Sequence, residues 1–131
     1  MTAAAQTWLL VALAGAAGTL LRYLLGGWLA RVTGGLFPWE TFVINVVGCL
    51  AIGALAAALD RGALLSPPLR MALMVGLIGG FTTFSSFALE ALRLSQGAQW
   101  MSAALYVVLT NAVGLGAVWA GYAAARLAGA R

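Results

Sequence analysis

Long apolar segments, separated by short clusters of polar and turn-forming residues, make up nearly the whole 131-residue chain. Four such segments, at 8–29, 40–59, 69–94 and 100–127, are each long enough as helices to cross the hydrocarbon core of a bilayer, which needs about 20 residues. The clusters between them contain Gly, Pro, Gln and charged residues, which favour turns. The pattern predicts an all-α membrane protein with four transmembrane helices, forming one domain over 1–131.

The composition supports this interpretation. Hydrophobic residues make up 63% of the chain and charged residues only 8%, against about 25% charged in an ordinary soluble domain. The arginines are dispersed singly, so the net charge of +4 does not indicate a nucleic-acid partner. The chain has no histidine, a single cysteine (Cys49), and no motif that pairs a nucleophile with a base. It is therefore not expected to be an enzyme.

The arginines are divided almost evenly between the two predicted sides of the membrane. One side has Arg61, Arg70, Arg126 and Arg131, and the other has Arg22, Arg31 and Arg93. Positive charge near the helix ends sets the orientation of a membrane protein, and a difference of four against three hardly selects one. Two alternatives remain open. The chain inserts in both orientations and can pair with an inverted copy of itself, or it inserts only with its N terminus inside.

Polar residues interrupt the third segment near its centre. Residues 76–87 read GLIGGFTTFSSF, with two adjacent glycines and four hydroxyl residues. At this depth an irregular backbone is tolerated only where it is buried in protein or lines an aqueous cavity. Discontinuous helices of this kind place carbonyl groups and helix ends at ion sites. The pattern predicts a helix broken at the membrane midplane, the alternative being a continuous helix whose small residues allow close packing.

Hydrogen-bond donors recur at other places in the predicted helices. They are amide or hydroxyl groups, at Asn45, Ser86, Tyr106 and Thr110. Two phenylalanines, Phe84 and Phe87, share a helix face and have weakly positive ring edges. Because no carboxylate lies at the centre of a helix, the set favours a small anion over a cation. Arg22, deep in the first helix, adds a positive charge, unless its side chain extends to the membrane surface.

These motifs resemble those of the Fluc (CrcB) family of fluoride channels. The similarity rests on GAAGTLLRY at 15–23, TFVINVVG at 41–48, GGFTTFSSF at 79–87, and Tyr106 followed by Thr110 and Asn111. The pieces occur in the family's order over nearly the whole chain, and GGFTTFSSF is the most specific of them. The chain departs from the family pattern at Gly114, where many members have a hydroxyl residue, and at Cys49, where serine is frequent.

The resemblance implies a fluoride-selective channel that exports fluoride passively and protects a bacterial cell. It implies an antiparallel, dual-topology homodimer in the bacterial inner membrane, whose partners are fluoride, the lipid bilayer and a second copy of the chain. The pore residues that it implies are Asn45, Phe84, Phe87, Ser86, Tyr106 and Thr110, with Arg22 and Glu90 near the vestibule and the pore end.

The resemblance also implies a structural Na⁺ at the dimer interface, held by the main-chain carbonyls of Gly79 and Thr82. Main-chain carbonyls offer hard oxygen ligands without net charge, which suits a monovalent cation better than Ca²⁺ or Mg²⁺. The alternative is that the hydroxyls of Thr82 and Thr83 cap the broken helix ends without any ion.

Two other functions remain as alternatives. A small multidrug-resistance transporter also has four helices and dual topology, but it exchanges protons on a carboxylate within the membrane. Here the acidic residues fall near the predicted helix ends, at Glu40, Asp60 and Glu90. A non-transporting membrane assembly subunit would use its polar residues only to join helices.

Overall fold

The computed structural model describes residues 2–35, 37–97 and 99–129. Within these residues it contains four helices long and apolar enough to cross a membrane: Ala3–Thr33, Trp39–Asp60, Pro67–Gln96 and Trp100–Ala128. The predicted all-α architecture of four long apolar helices is confirmed. The first helix extends beyond the predicted 8–29 at both ends, and at its start the Thr2 hydroxyl accepts a hydrogen bond from the Ala5 N–H.

The third span, Pro67–Gln96, consists of two helices. We label the helices in chain order α1 (Ala3–Thr33), α2 (Trp39–Asp60), α3 (67–81), α4 (Phe84–Gln96) and α5 (Trp100–Ala128). The middle of α3, at Ala72–Ile78, is π-helical. Between α3 and α4, Thr82 and Thr83 have extended backbones, with ψ of 161° and 115°. Helical hydrogen bonding therefore stops and restarts within two residues.

The helices α2 and α5 pack against each other along much of their length. Glycines allow their backbones to approach closely at two points. A side chain at Gly53 would overlap the backbone of Val118, and one at Gly121 would overlap the backbone of Leu50. Small residues at such contacts are typical of membrane helices, because association there depends on close van der Waals packing.

The helix α1 packs against α3 in the same manner. A Cβ atom added at Gly76 would lie 2.7 Å from the carbonyl oxygen of Val11, and one at Gly80 would lie 2.6 Å from that of Gly15. Neither position could accept a side chain without a shift of backbone. The contact therefore fixes the end of α3, next to the interruption, against the middle of α1.

The most buried cluster lies where α4 meets α5, and it consists of Phe87, Leu94, Ala103 and Tyr106. Elsewhere, many large apolar side chains are more than half exposed on the single chain, among them Trp8, Leu13, Trp28, Leu115 and Trp119. An apolar surface of this extent is suited to lipid or to another protein surface, not to water.

Candidate functional site

A cavity of about 350 Å³ lies beside the interruption of the third span, between α2 and α5. We call it the central cavity. Four of the predicted pore residues line it: Asn45, Phe84, Phe87 and Thr110. Thr82, Thr83 and Asn111 add further polar groups, whereas Ile52, Leu115 and Val118 make one part of the wall apolar. The fold therefore brings residues from four helices to one mainly apolar chamber that holds a few polar groups.

Asn45 holds the extended backbone between α3 and α4. Its Oδ1 accepts a hydrogen bond from the Thr83 N–H at 2.8 Å, and its Nδ2 donates to the Thr83 carbonyl at 3.0 Å. In a continuous helix the Thr83 N–H would donate to the carbonyl of Gly79, four residues earlier. The amide therefore replaces a helical bond, and the second Nδ2 hydrogen is not used in this pair.

The two threonines close the helix ends on either side. Thr82 donates to the Ile78 carbonyl from both its N–H and its hydroxyl, at 3.0 and 3.1 Å. The Thr83 hydroxyl accepts from the Ser86 N–H at 3.2 Å and donates to the Ser86 hydroxyl at 3.0 Å, which caps α4. The Ser86 side chain thus lies at this cap and outside the cavity lining, so its contact with an anion stays a prediction.

Arg22 reaches the interruption from α1. Its Nε donates to the Gly80 carbonyl at 3.2 Å, and the Thr19 hydroxyl lies 3.4 Å from the same oxygen. The arginine is half-buried and bonds inside the protein. Since Gly80 is near the C-terminal end of α3, the positive charge is also placed where the helix dipole favours it.

A second polar cluster joins α2, α4 and α5. The Thr41 hydroxyl donates to Glu90 Oε1 at 2.8 Å, and the Tyr106 hydroxyl donates to Oε2 at 2.7 Å. Thr41 and Tyr106 are only 4% and 0% exposed, so both carboxylate oxygens are bound within the protein. The Phe87 ring, 5.2 Å from that of Tyr106 and 5.4 Å from that of Phe84, separates this cluster from the central cavity.

Another cavity, also of about 350 Å³, lies on the far side of Glu90, and we call it the outer cavity. Its lining includes Glu40, Glu90, Arg93 and Gln99. Glu90 thus faces the outer cavity, while its hydrogen-bond partner Tyr106 contacts the wall of the central one. Thr41 is not among the site residues that the sequence predicts. The available signal was its spacing of four residues before Asn45, which places both on one face of α2.

Thr110 has a buried hydroxyl without a hydrogen-bond partner among the described residues. A buried polar group left unpaired costs about 1–3 kcal/mol, and the residue lines the central cavity. One turn further along α5, Gly114 leaves space that faces Cys49, whose Sγ lies 3.5 Å from where a Cβ would be. Thr110 is therefore the last hydroxyl on this side of the cavity.

The two predicted cation ligands lie at the interruption. Gly79 is exposed on the single chain, and its carbonyl loses the Thr83 donor to Asn45. Across the described ranges, no group of three or more His, Cys, Asp or Glu side chains is placed to hold a metal ion. A cation here would thus depend on main-chain carbonyls, and the freed Gly79 carbonyl fits that requirement.

Valine substitutions should separate the hydroxyl of Thr110 from that of Thr83. Thr110→Val removes a buried hydroxyl that has no partner, so the melting temperature in detergent should stay the same or rise. Thr83→Val removes the cap of α4 and should cost about 1 kcal/mol of stability, which lowers the melting temperature. A lower melting temperature for Thr110→Val than for Thr83→Val would contradict this assignment.

Comparison with known proteins agrees with the motif resemblance. The family model described as "CrcB-like protein, Camphor Resistance (CrcB)" matches residues 9–122. A protein of Rhizobium leguminosarum bv. trifolii (strain WSM2304), named Fluoride-specific ion channel FluC, is 44% identical over 118 residues, covering 90% of this chain and 94% of the relative.

Two further relatives have the same name. The protein of Paramagnetospirillum magneticum (strain AMB-1) is 46% identical over 123 residues, covering 92% of this chain and 96% of its own. That of Nitratidesulfovibrio vulgaris (strain Miyazaki F) is 43% identical over 122 residues, covering 93% and 98%. The predicted family is thus confirmed, and the chain belongs to the CrcB family.

Proposed function

We propose that this chain forms a fluoride-selective ion channel, through which fluoride leaves the cell passively and its toxicity in the cytoplasm is reduced. The observation that carries the proposal is the similarity, over about nine tenths of the chain, to proteins named fluoride-specific ion channels. These relatives are channels and not enzymes, so no reaction is assigned. The similarity also favours a channel over a multidrug transporter or an assembly subunit.

The central cavity supports the proposal through its donors. Asn45 retains one amide hydrogen, and the Thr110 hydroxyl has no partner in the part of the chain that the structure describes. The helix α4 begins beside them with the positive end of its dipole. No carboxylate belongs to the described lining of this cavity. Fluoride is small and strongly hydrated, so it needs several donors at close range in place of its water. Chloride is larger and is excluded by size.

The two phenylalanines form the aromatic wall of the proposed pore. Phe87 is 6% exposed, whereas Phe84 is 76% exposed on the single chain. Their rings lie 5.4 Å apart and are inclined at 52°, and ring edges carry the positive end of the quadrupole. An aromatic side chain so exposed at the edge of the central cavity is suited to contact with a second subunit.

The end of the proposed pathway runs past Tyr106 and Glu90 to the outer cavity. Tyr106 donates its hydroxyl to Glu90 in this structure, so it becomes available to an anion only when that bond opens. Ser86 is a pore residue in this proposal through its hydroxyl, which accepts from Thr83 and keeps its own hydrogen.

The functional unit that we propose is an antiparallel, dual-topology homodimer in the bacterial inner membrane. The exposed surface of the single chain includes polar residues at Gly79, Ser85 and Asn111, and those of their polar atoms that are not bonded within the chain would find no partners in lipid. A second copy would cover them. The nearly even division of arginines allows both orientations. One of the counted arginines, Arg131, lies outside the described residues.

At the centre of this dimer we propose a structural Na⁺, at a helix break on the membrane midplane. Its ligands would be the main-chain carbonyls of Gly79 and Thr82 from both subunits. The support is the freed Gly79 carbonyl and the need to satisfy such groups in a membrane, where each unpaired one costs several kcal/mol. When bound, the ion would supply only positive charge to these oxygens.

Fluoride efflux from proteoliposomes tests the channel function. We expect the wild-type protein to release fluoride and to retain chloride under the same gradient. Thr110→Val, whose fold is checked by its melting temperature, should slow fluoride efflux by about tenfold or more, since about 1.4 kcal/mol from one donor changes a rate tenfold. Chloride release at the rate of fluoride release would reject the proposed selectivity.

Thiol labelling tests the dual topology. In a Cys49→Ser background, single cysteines replace Leu64 in the loop after α2 or Gln96 at the end of α4, both exposed. An impermeant thiol reagent added to intact cells should reach about half of the copies at each position if insertion is unbiased. Complete labelling at one position and none at the other would establish a single orientation instead.

Sodium dependence of dimer stability tests the cation. At constant ionic strength, replacing a bulky organic cation with Na⁺ should raise the melting temperature of the dimer in detergent. Binding that occurs only in the folded dimer stabilises it by about 2.7 kcal/mol at 100 times the dissociation constant. If the melting temperature does not change when Na⁺ replaces the organic cation, the alternative is favoured, in which Thr82 and Thr83 cap the helix ends without an ion.

A further inference from the structure

The carbonyl groups near the end of α3 accept hydrogen bonds from different donors. The Ile78 carbonyl accepts two bonds from Thr82, one from its N–H and one from its hydroxyl. The Thr83 carbonyl accepts from the amide of Asn45. Both are therefore satisfied by groups within the third span or on α2. They need neither an ion nor a second subunit.

The Gly80 carbonyl is satisfied from a different helix. Arg22 donates to it from Nε, and the Thr19 hydroxyl approaches the same oxygen. Gly80 is packed so tightly on Gly15 that an added Cβ would lie 2.6 Å from the Gly15 carbonyl oxygen. The Gly80 peptide is thus fixed to α1 by packing and by two donors. The arginine uses a particular nitrogen for this, the one nearest the main chain.

We propose that Arg22 is a positioning residue for the interruption of the third span. By holding the Gly80 carbonyl against α1, it fixes where α3 ends and hence where the Thr83 cap and Phe84 meet the central cavity. It also takes this carbonyl out of the set of main-chain oxygens at the interruption that a cation could bind. This role is distinct from that of a charge at the vestibule, because it acts through one N–H group.

Two substitutions separate the N–H group from the charge. Glutamine has an N–H₂ group bonded to Cδ, the same place as Nε of arginine, but it has no charge. Lysine keeps the charge, but a CH₂ group occupies that place, and its nitrogen lies one bond further along. Arg22→Gln therefore preserves the donor to Gly80, whereas Arg22→Lys preserves the charge that a helix C terminus also attracts.

The test compares these variants in detergent and in proteoliposomes. Arg22→Lys should melt several degrees below the wild type, and Arg22→Gln should melt closer to the wild type than Arg22→Lys does. Fluoride efflux through Arg22→Gln should be at least about tenfold faster than through Arg22→Lys, the ratio that corresponds to one hydrogen bond. Arg31→Lys, on the exposed part of the same helix, is the matched control and should melt with the wild type.

Other outcomes overturn the proposal. If Arg22→Lys matches the wild type and Arg22→Gln does not, the charge is what matters. If both variants melt with the wild type, or if both melt lower by the same amount, Arg22 does not act through the Gly80 carbonyl. The efflux measurement rests on the proposed channel function, but the order of melting temperatures does not. Absence of fluoride efflux through the wild-type protein would thus reject the channel function. The order of the melting temperatures would still test the role of Arg22.

Discussion

The bonds between the Asn45 amide and the Thr83 backbone are the interaction on which the rest of the site depends. In an apolar surrounding, a helix can be interrupted only where other groups replace its lost hydrogen bonds. A side-chain amide can do so in both directions, since it has a donor and an acceptor in one plane. With the Thr83 backbone held, α4 can start in a new direction and its first side chains can face the central cavity.

The interruption also places a region that attracts cations next to a region that attracts anions. The last carbonyls of α3 attract cations and the first N–H groups of α4 attract anions. Arg22 bonds on the first side, at Gly80, and the donors of the central cavity lie on the second. One break in one helix thus provides surroundings for charges of both signs, without a buried carboxylate in the described lining of the central cavity.

The sequence predicts the four long apolar helices, because apolar length is a local property of the chain. Apolar length determined the four helices, and the glycine and hydroxyl residues at 79–86 contain the two residues that the structure leaves extended. Partners across helices were harder to predict. The sequence indicates Asn45 and Tyr106 as donors to an anion, but it does not reveal the bonds within the chain that Asn45 makes with Thr83 and Tyr106 makes with Glu90.

The reason for the difference is that a hydrogen bond between two helices depends on their relative rotation, which hydropathy does not encode. Thr41 shows this well. It lies on the same face of α2 as Asn45, but only the packing of α4 against α2 and α5 places Glu90 Oε1 2.8 Å from its hydroxyl. Arg22 is similar, since its bond to Gly80 follows from the close approach of α1 and α3 at their glycines.

The carboxylate of Glu90 has a further consequence for the fold. Thr41 and Tyr106 are buried hydroxyls, and without an acceptor each would cost about 1–3 kcal/mol. Glu90 bonds both, so the chain contains its own stand-in for an external anion at these two donors. The two donors are thereby kept aligned and paired by a group of the same chain. Any anion that binds there competes with a tethered oxygen ligand for hydroxyls already in place.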